Sequence, residues 1–135
     1  MAAITPTTGD QAFLQSITNK QSSGNLVLRL FTSNTTPSKG DTLSTYTECT
    51  GSGYSPITLL GGSWTVSANE DGTATASYAA QTFTFTSGTA FSAYGYFLTN
   101  SAGTTVIWAE RFSDGPYAIP AGGGTISVTP NYSAS

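Results

Sequence analysis

Between Leu26 and Thr129 the apolar side chains recur every second residue in short runs, and turn-forming residues separate the runs. Successive side chains of a strand point to opposite faces, so this period commits most of the chain to sheets. Leu26, Leu28 and Leu30 alternate with Val27, Arg29 and Phe31, giving a first strand with one wholly apolar face. Tyr54 to Leu60 predicts another strand, which Gly61-Gly62 breaks before Trp64 to Ala68 resumes the alternation. Asn69-Glu70-Asp71-Gly72 predicts a hairpin joining Trp64–Ala68 to Thr73–Ala79, with positive φ at both Asp71 and Gly72. Gln81 to Thr86 sets Phe83 and Phe85 against a threonine face. Ala93 to Asn100 and Thr104 to Phe112 flank Ser101-Ala102-Gly103 as a second hairpin. Tyr117-Ala118-Ile119 and Thr125 to Thr129 complete the pattern, and Pro130 confines the residues after it to an edge strand or to non-strand backbone.

About eight strands with turns at this spacing predict an all-β fold, an antiparallel jelly-roll-like β-sandwich. Leu28, Leu30, Tyr54, Ile57, Leu59, Trp64, Phe83, Phe85, Phe97, Val106, Trp108 and Val128 are its expected core. Ahead of the strands stands one short helical pattern. Thr8 with Gln11 fits a capping box, Phe13, Leu14 and Ile17 share one face, and the run ends near Asn19. A helix of about three turns is marginal alone and must lie against the domain or a partner. The chain therefore divides into an N-terminal arm with a short helix, residues 1–24, and a β-sandwich domain, residues 25–135. A helical turn over Asp41 to Tyr46, capped by Asp41, is also expected.

Only 8% of the residues are charged and none is histidine, whereas soluble domains carry roughly a quarter charged residues. The one side chain that ordinarily titrates near neutrality is missing, which excludes a Ser-His-Asp triad and the usual zinc ligand sets. The acids lack the spacing of a calcium loop, and no Gly-x-Ser-x-Gly elbow is present. Cys49 cannot form an intramolecular bridge, and with Glu48 beside it reads as a packed side chain rather than a nucleophile. The expectation is a protein that is not an enzyme, with no cofactor and no metal. A net charge of −3 and four scattered cations, Lys20, Arg29, Lys39 and Arg111, argue against nucleic acid as a partner. No apolar run approaches the roughly 20 residues of a membrane span, and the first ten residues have no signal-peptide pattern.

Two groups of residues stand out for recognition. Tyr94, Tyr96, Trp108, Phe112 and Tyr117 could form a platform for a glycan, or they could be core; the alternation puts Tyr94 and Tyr96 on one face, opposite Phe97. Glu110 and Arg111 are neighbours on one strand and point to opposite faces, so neither pairs with the other. Each is expected to meet a charge on an adjacent strand or subunit, and Arg29 likewise.

Several blocks carry a resemblance. They are Leu28-Arg29-Leu30-Phe31-Thr32-Ser33-Asn34-Thr35-Thr36-Pro37, Tyr46-Thr47-Glu48, Gly53-Tyr54-Ser55-Pro56-Ile57-Thr58-Leu59, Tyr94-Gly95-Tyr96-Phe97-Leu98-Thr99, Trp108-Ala109-Glu110-Arg111-Phe112 and Gly124-Thr125-Ile126-Ser127-Val128-Thr129-Pro130. In this order they resemble a family of small tailed-phage virion proteins. Cys49 departs from the family pattern, which has a small residue there. The resemblance implies a virion structural protein, made in the host cytoplasm and carried on the capsid surface. It implies a capsid decoration, or cement, protein: a homotrimer that grips the major capsid protein. Phe13, Leu14, Ile17, Arg29, Glu110 and Arg111 are then the candidate intersubunit or capsid contacts. A tail fibre or adhesin module that binds host glycan is the alternative, and a cell-wall hydrolase stands third.

Overall fold

The computed structural model describes residues 3–134; Met1, Ala2 and Ser135, at the ends of the expected arm and sandwich, lie outside the described residues. The helix α1 spans Thr7–Ile17. After it come eleven strands: β1 Leu26–Phe31, β2 Ile57–Leu59, β3 Thr65–Ala68, β4 Ala74–Ser77, β5 Gln81–Phe85, β6 Phe91–Ala93, β7 Gly95–Thr99, β8 Val106–Arg111, β9 Tyr117–Ile119, β10 Gly124–Val128 and β11 Asn131–Ala134. All pairings are antiparallel, in a four-stranded sheet ordered β2-β1-β7-β8 with smaller sheets β10-β5, β11-β4-β3 and β6-β9 around it. The all-β, sandwich-like class read from the alternation is the class observed.

The four-stranded sheet is buried on both faces. Leu28, Leu30, Tyr96, Leu98 and Trp108 point to one side, where Phe83, Phe85, Ile126 and Val128 of β5 and β10 close the main core. Phe31, Phe97, Val106 and Ala109 point to the other, beneath Tyr46. Tyr46 packs on Phe97 and Phe31 with ring centroids 5.3 and 5.1 Å apart, a spacing that adds to simple area burial. Of the twelve expected core residues all join these clusters, with Tyr54, Ile57 and Trp64 only half-buried.

Expected and observed elements differ where side chains or tertiary contacts take over the backbone. The strand expected from Tyr54 shortens to β2 because Tyr54 N–H closes a turn onto Gly51 O and Pro56 has no N–H to give. The stretch Ala93 to Asn100 changes sheets at Tyr94, β6 pairing with β9 and β7 with β1 and β8. The crossing needs Gly95: a Cβ there would stand 2.3 Å from Glu110 O and 2.5 Å from the Phe31 ring. The β3–β4 turn is not the tight two-residue kind. Asn69 N–H bonds Thr73 O, Gly72 N–H bonds Asn69 O, and Gly72 takes positive φ while Asp71 does not. Asp71 instead accepts from Thr73 N–H and Oγ1 at 3.1 and 2.7 Å.

The helix starts without the expected capping box, since Pro6 occupies the cap position and no side chain caps it. Its first amide is satisfied from outside, Thr7 N–H donating to Lys39 O at 3.1 Å, and Lys39 Nζ reaches Asp10 at 2.8 Å. The single turn near Asp41 covers Leu43–Thr45 and is capped by Thr42 with Thr45, not by Asp41. The Asp41 carboxylate is taken by Ser38 N–H, Ser38 Oγ and Tyr46 Oη at 2.8, 2.9 and 2.6 Å. β11 comes directly after Pro130 and lies at the end of its sheet, as an edge strand should.

Candidate functional site

Arg29 projects from β1 on the face opposite Leu28. Its Nη1 meets both Glu48 oxygens at 3.0 Å and its Nε donates to Thr99 Oγ1 at 3.1 Å. Tyr54 Oη donates to Glu48 Oε2 at 2.8 Å and accepts Leu30 N–H at 3.1 Å. Burial, opposed by the bond from Leu30 N–H and reinforced by the Glu48 carboxylate, holds the Tyr54 hydroxyl far above its usual range. The network clamps the segment around Glu48 to the sheet, where Phe31 and Glu48 also bridge.

Glu110 and Arg111 do leave β8 on opposite faces. Glu110 accepts from Tyr96 Oη, its neighbour across β7, at 2.8 Å. Burial first, and the Glu110 charge second, raise the Tyr96 hydroxyl well above its normal value. Arg111 donates to Thr35 O at 3.1 Å and Asn34 Oδ1 at 2.7 Å, and its guanidinium lies 5.2 Å from the centre of the Tyr94 ring. Arg29, Glu110 and Arg111 thus all have partners within one chain, but of the three only Arg29 meets the expected opposite charge; Glu110 is satisfied by a tyrosine hydroxyl and Arg111 by a loop carbonyl and amide. Glu48, Asn34 and Tyr94, which complete these contacts, reach them through loops that no local spacing signals.

The five aromatic residues weighed as a glycan platform are not one surface. Tyr96 and Trp108 are each 3% exposed, inside the main core. Tyr94 packs with the Phe31 and Phe97 cluster, not on the face of Tyr96, because the chain turns between sheets at that residue. Phe112 stacks on Tyr117 at 4.5 Å and lies 6.4 Å from Tyr96, while Tyr117 Oη donates to Asp114. Trp108 sits between Trp64 and Tyr132, at 5.7 and 5.2 Å.

Helix α1 divides its apolar residues. Phe13 stacks on Tyr132 at 5.9 Å and so joins the main core, whereas Leu14 is 64% and Ile17 83% exposed. The helix is fastened at several points. Ile4 exchanges hydrogen bonds with Ala109 at 2.8 and 2.9 Å, and Gly9 is buried against Ile107. The N-terminal segment from Ala3 to Ile17 is therefore packed into the sandwich and leaves one apolar stripe to solvent.

Cys49 is buried, its N–H bonded to Leu30 O, and burial raises its thiol. Among the described residues no three of His, Cys, Asp and Glu come together. What this arrangement does chemically is fasten: carboxylates and guanidinia hold tyrosines, hydroxyls and loop carbonyls in fixed places. Comparison of the chain with protein-family models, with curated proteins and with solved structures gave no match.

Proposed function

We propose that this chain is a phage virion structural protein, a capsid decoration protein that binds the outside of the head and stabilises contacts between major capsid subunits. One observation carries the reading. Six side chains able to do chemistry, Arg29, Glu48, Tyr54, Tyr96, Glu110 and Arg111, are bound to one another or to loop groups, while Leu14 and Ile17 are left exposed on α1. A protein whose half-buried charged groups act as internal fasteners is suited to a non-catalytic role in which contact area does the work.

Decoration requires many modest contacts repeated over a lattice, and repetition multiplies weak affinities through effective concentration. A surface rich in threonine and serine and poor in charge makes such contacts with little dependence on salt. The resemblance of the blocks around Leu28, Tyr54, Tyr96 and Trp108 supports the same role, with copies grouped in threes on the major capsid protein. Two of the five aromatic residues that a glycan platform would use, Tyr96 and Trp108, are core residues, which favours the decoration reading over the glycan alternative.

Absolute quantification of the chain in purified particles tests the proposal. Hundreds of copies per particle are expected; a handful of copies would favour a tail component, and none would refute a virion role.

A further inference from the structure

The sheet β11-β4-β3 has two outer edges, and they are not alike. Alternate residues of an antiparallel strand direct their N–H and C=O groups to opposite sides. Pro130 O accepts Tyr78 N–H, so Tyr132 and Ala134 are the β11 residues bonded to β4 while Asn131 and Ser133 turn their backbone groups outward. On this strand Tyr132 stacks on Trp108 at 5.2 Å and on Phe13 at 5.9 Å, so this edge is seated on the body of the domain. At the other end Asn69 N–H bonds Thr73 O, which makes Ser67 and Thr65 the β3 residues bonded to Thr75 and Ser77. Val66 and Ala68 therefore turn their N–H and C=O groups away from the sheet, where they bond no other described residue.

Apart from its shortness, four residues, nothing blunts that edge. Every residue of β3 is exposed, Val66 at 71%, and Thr65–Ala68 contains no proline, no charge and no bulge. Proteins that keep an edge unpaired ordinarily guard it with one of these. The two faces of the sheet also differ. Val66, Ala76 and Tyr132 lie in one cross-strand row, with Ala68 and Ala74 beside them, whereas Ser67, Thr75 and Ser133 share the other face, where Thr75 and Ser133 hydroxyls bond at 3.0 Å.

We propose that β3 pairs with β3 of a second copy of this chain, antiparallel across a two-fold axis at Ser67, doubling the three-stranded sheet. In this register Val66 lies opposite Ala68 of the second copy, and each of the two such pairs exchanges both backbone bonds, roughly four in all. The register one step away would set Ala68 against Trp64, whose N–H already goes to Gly61 O at 3.5 Å. The Ser67 register uses free groups only. It aligns apolar face with apolar face and hydroxyl face with hydroxyl face. It also places the two copies of Glu70 about 20 Å apart, at opposite ends of the contact, so like charges do not oppose it. The contact is independent of the virion reading; if copies group in threes, it links one group to the next.

Ser67 would face its own counterpart at a non-hydrogen-bonded position, with Cα atoms about 4.5 Å apart, within disulfide range. Thr65 would lie about 13 Å from its counterpart, out of range. The test uses the full chain carrying Ser67→Cys or Thr65→Cys under mild oxidation, with native Cys49 shielded by burial. Covalent dimer is expected for Ser67→Cys at least tenfold faster than for Thr65→Cys, together with a solution mass of twice 13.9 kDa at high concentration. Val66→Pro, which removes only an outward N–H, should abolish that mass while circular dichroism stays unchanged. Equal or absent cross-linking of the two cysteine variants would overturn the proposal, as would a Val66→Pro protein that folds and keeps the dimer mass. If Val66→Pro fails to fold, the cysteine pair decides alone.

Discussion

Gly9→Ala asks whether α1 belongs to the folded body or merely rests beside it. In an isolated helix the change is favourable by up to about 1 kcal/mol, because alanine has the better propensity. Here the new Cβ would stand 2.2 Å from Ile107 O and 3.0 Å from Thr5 Cγ2. Carbon–oxygen contacts begin near ~3.3 Å, so the helix must retreat about 1 Å from β8, whose backbone is fixed by pairing with β7. That movement strains the Ile4–Ala109 bonds and the stacking of Phe13 on Tyr132. Overpacking of this kind costs about 1 to 3 kcal/mol, and weakening two backbone bonds adds about 1 kcal/mol. Less the propensity gain, the loss is about 2 kcal/mol, or a fall in Tm of roughly 6 °C for a chain of this length. Gly40→Ala, where a Cβ meets nothing within 4 Å, is the comparison and should change Tm little. Differential scanning calorimetry of the two variants reads the difference. A Gly9→Ala protein as stable as the parent, or more so, would refute the docking of α1 on β8.

Glu48→Gln removes the charge that Arg29 meets, and because the pair is 19% and 33% exposed the cost should be about 2 kcal/mol, below the range for wholly buried pairs, read as a lower urea midpoint at constant m-value. Asp10→Ala breaks the solvent-exposed pair with Lys39 and should cost under about 1 kcal/mol by the same measurement. Stability should also fall in alkali. Tyr46, Tyr54 and Tyr96 have hydroxyls raised by burial and by Asp41, Glu48 and Glu110, so their folded values lie above the ordinary 10.0. The stabilisation is therefore intact below pH 10 and is lost as pH climbs above it, each tyrosine steepening the slope by at most about 1.4 kcal/mol per pH unit. Absorbance at tyrosinate wavelengths should show these three ionising only as the protein unfolds, and a slope unchanged by Tyr96→Phe would contradict the assignment.

The alternation alone locates the face of Leu28, Leu30, Phe83, Phe85 and Val128, since a period of two leaves no other way to bury those residues together. The second face is harder to read. Tyr96-Phe97-Leu98 is a continuous apolar run, the mark of a strand buried on both sides, yet what covers Phe97 is Tyr46, brought over by a loop whose course depends on the Arg29 and Glu48 network. Strict alternation puts Tyr94 on the wrong face because it assumes one continuous strand, whereas the chain changes sheets at Tyr94, and Gly95, with no Cβ, lets it pass close to Glu110 O. Phe13, Leu14 and Ile17 do fall on one helical stripe, but the stripe is narrow and, of the three, only Phe13 docks. The free edge of β3 is invisible in sequence, because edge or centre is decided by strand order and not by the strand's own residues.

A density map of intact particles at a resolution that traces strands is the most direct test of the central claim, that this chain works by clasping neighbours and not by chemistry. The account predicts the β2-β1-β7-β8 sheet repeated over the outer surface of the head at junctions between major capsid subunits, with α1 turned toward a neighbouring chain. Heads that carry no such density, or this fold found only at the tail tip, would contradict it.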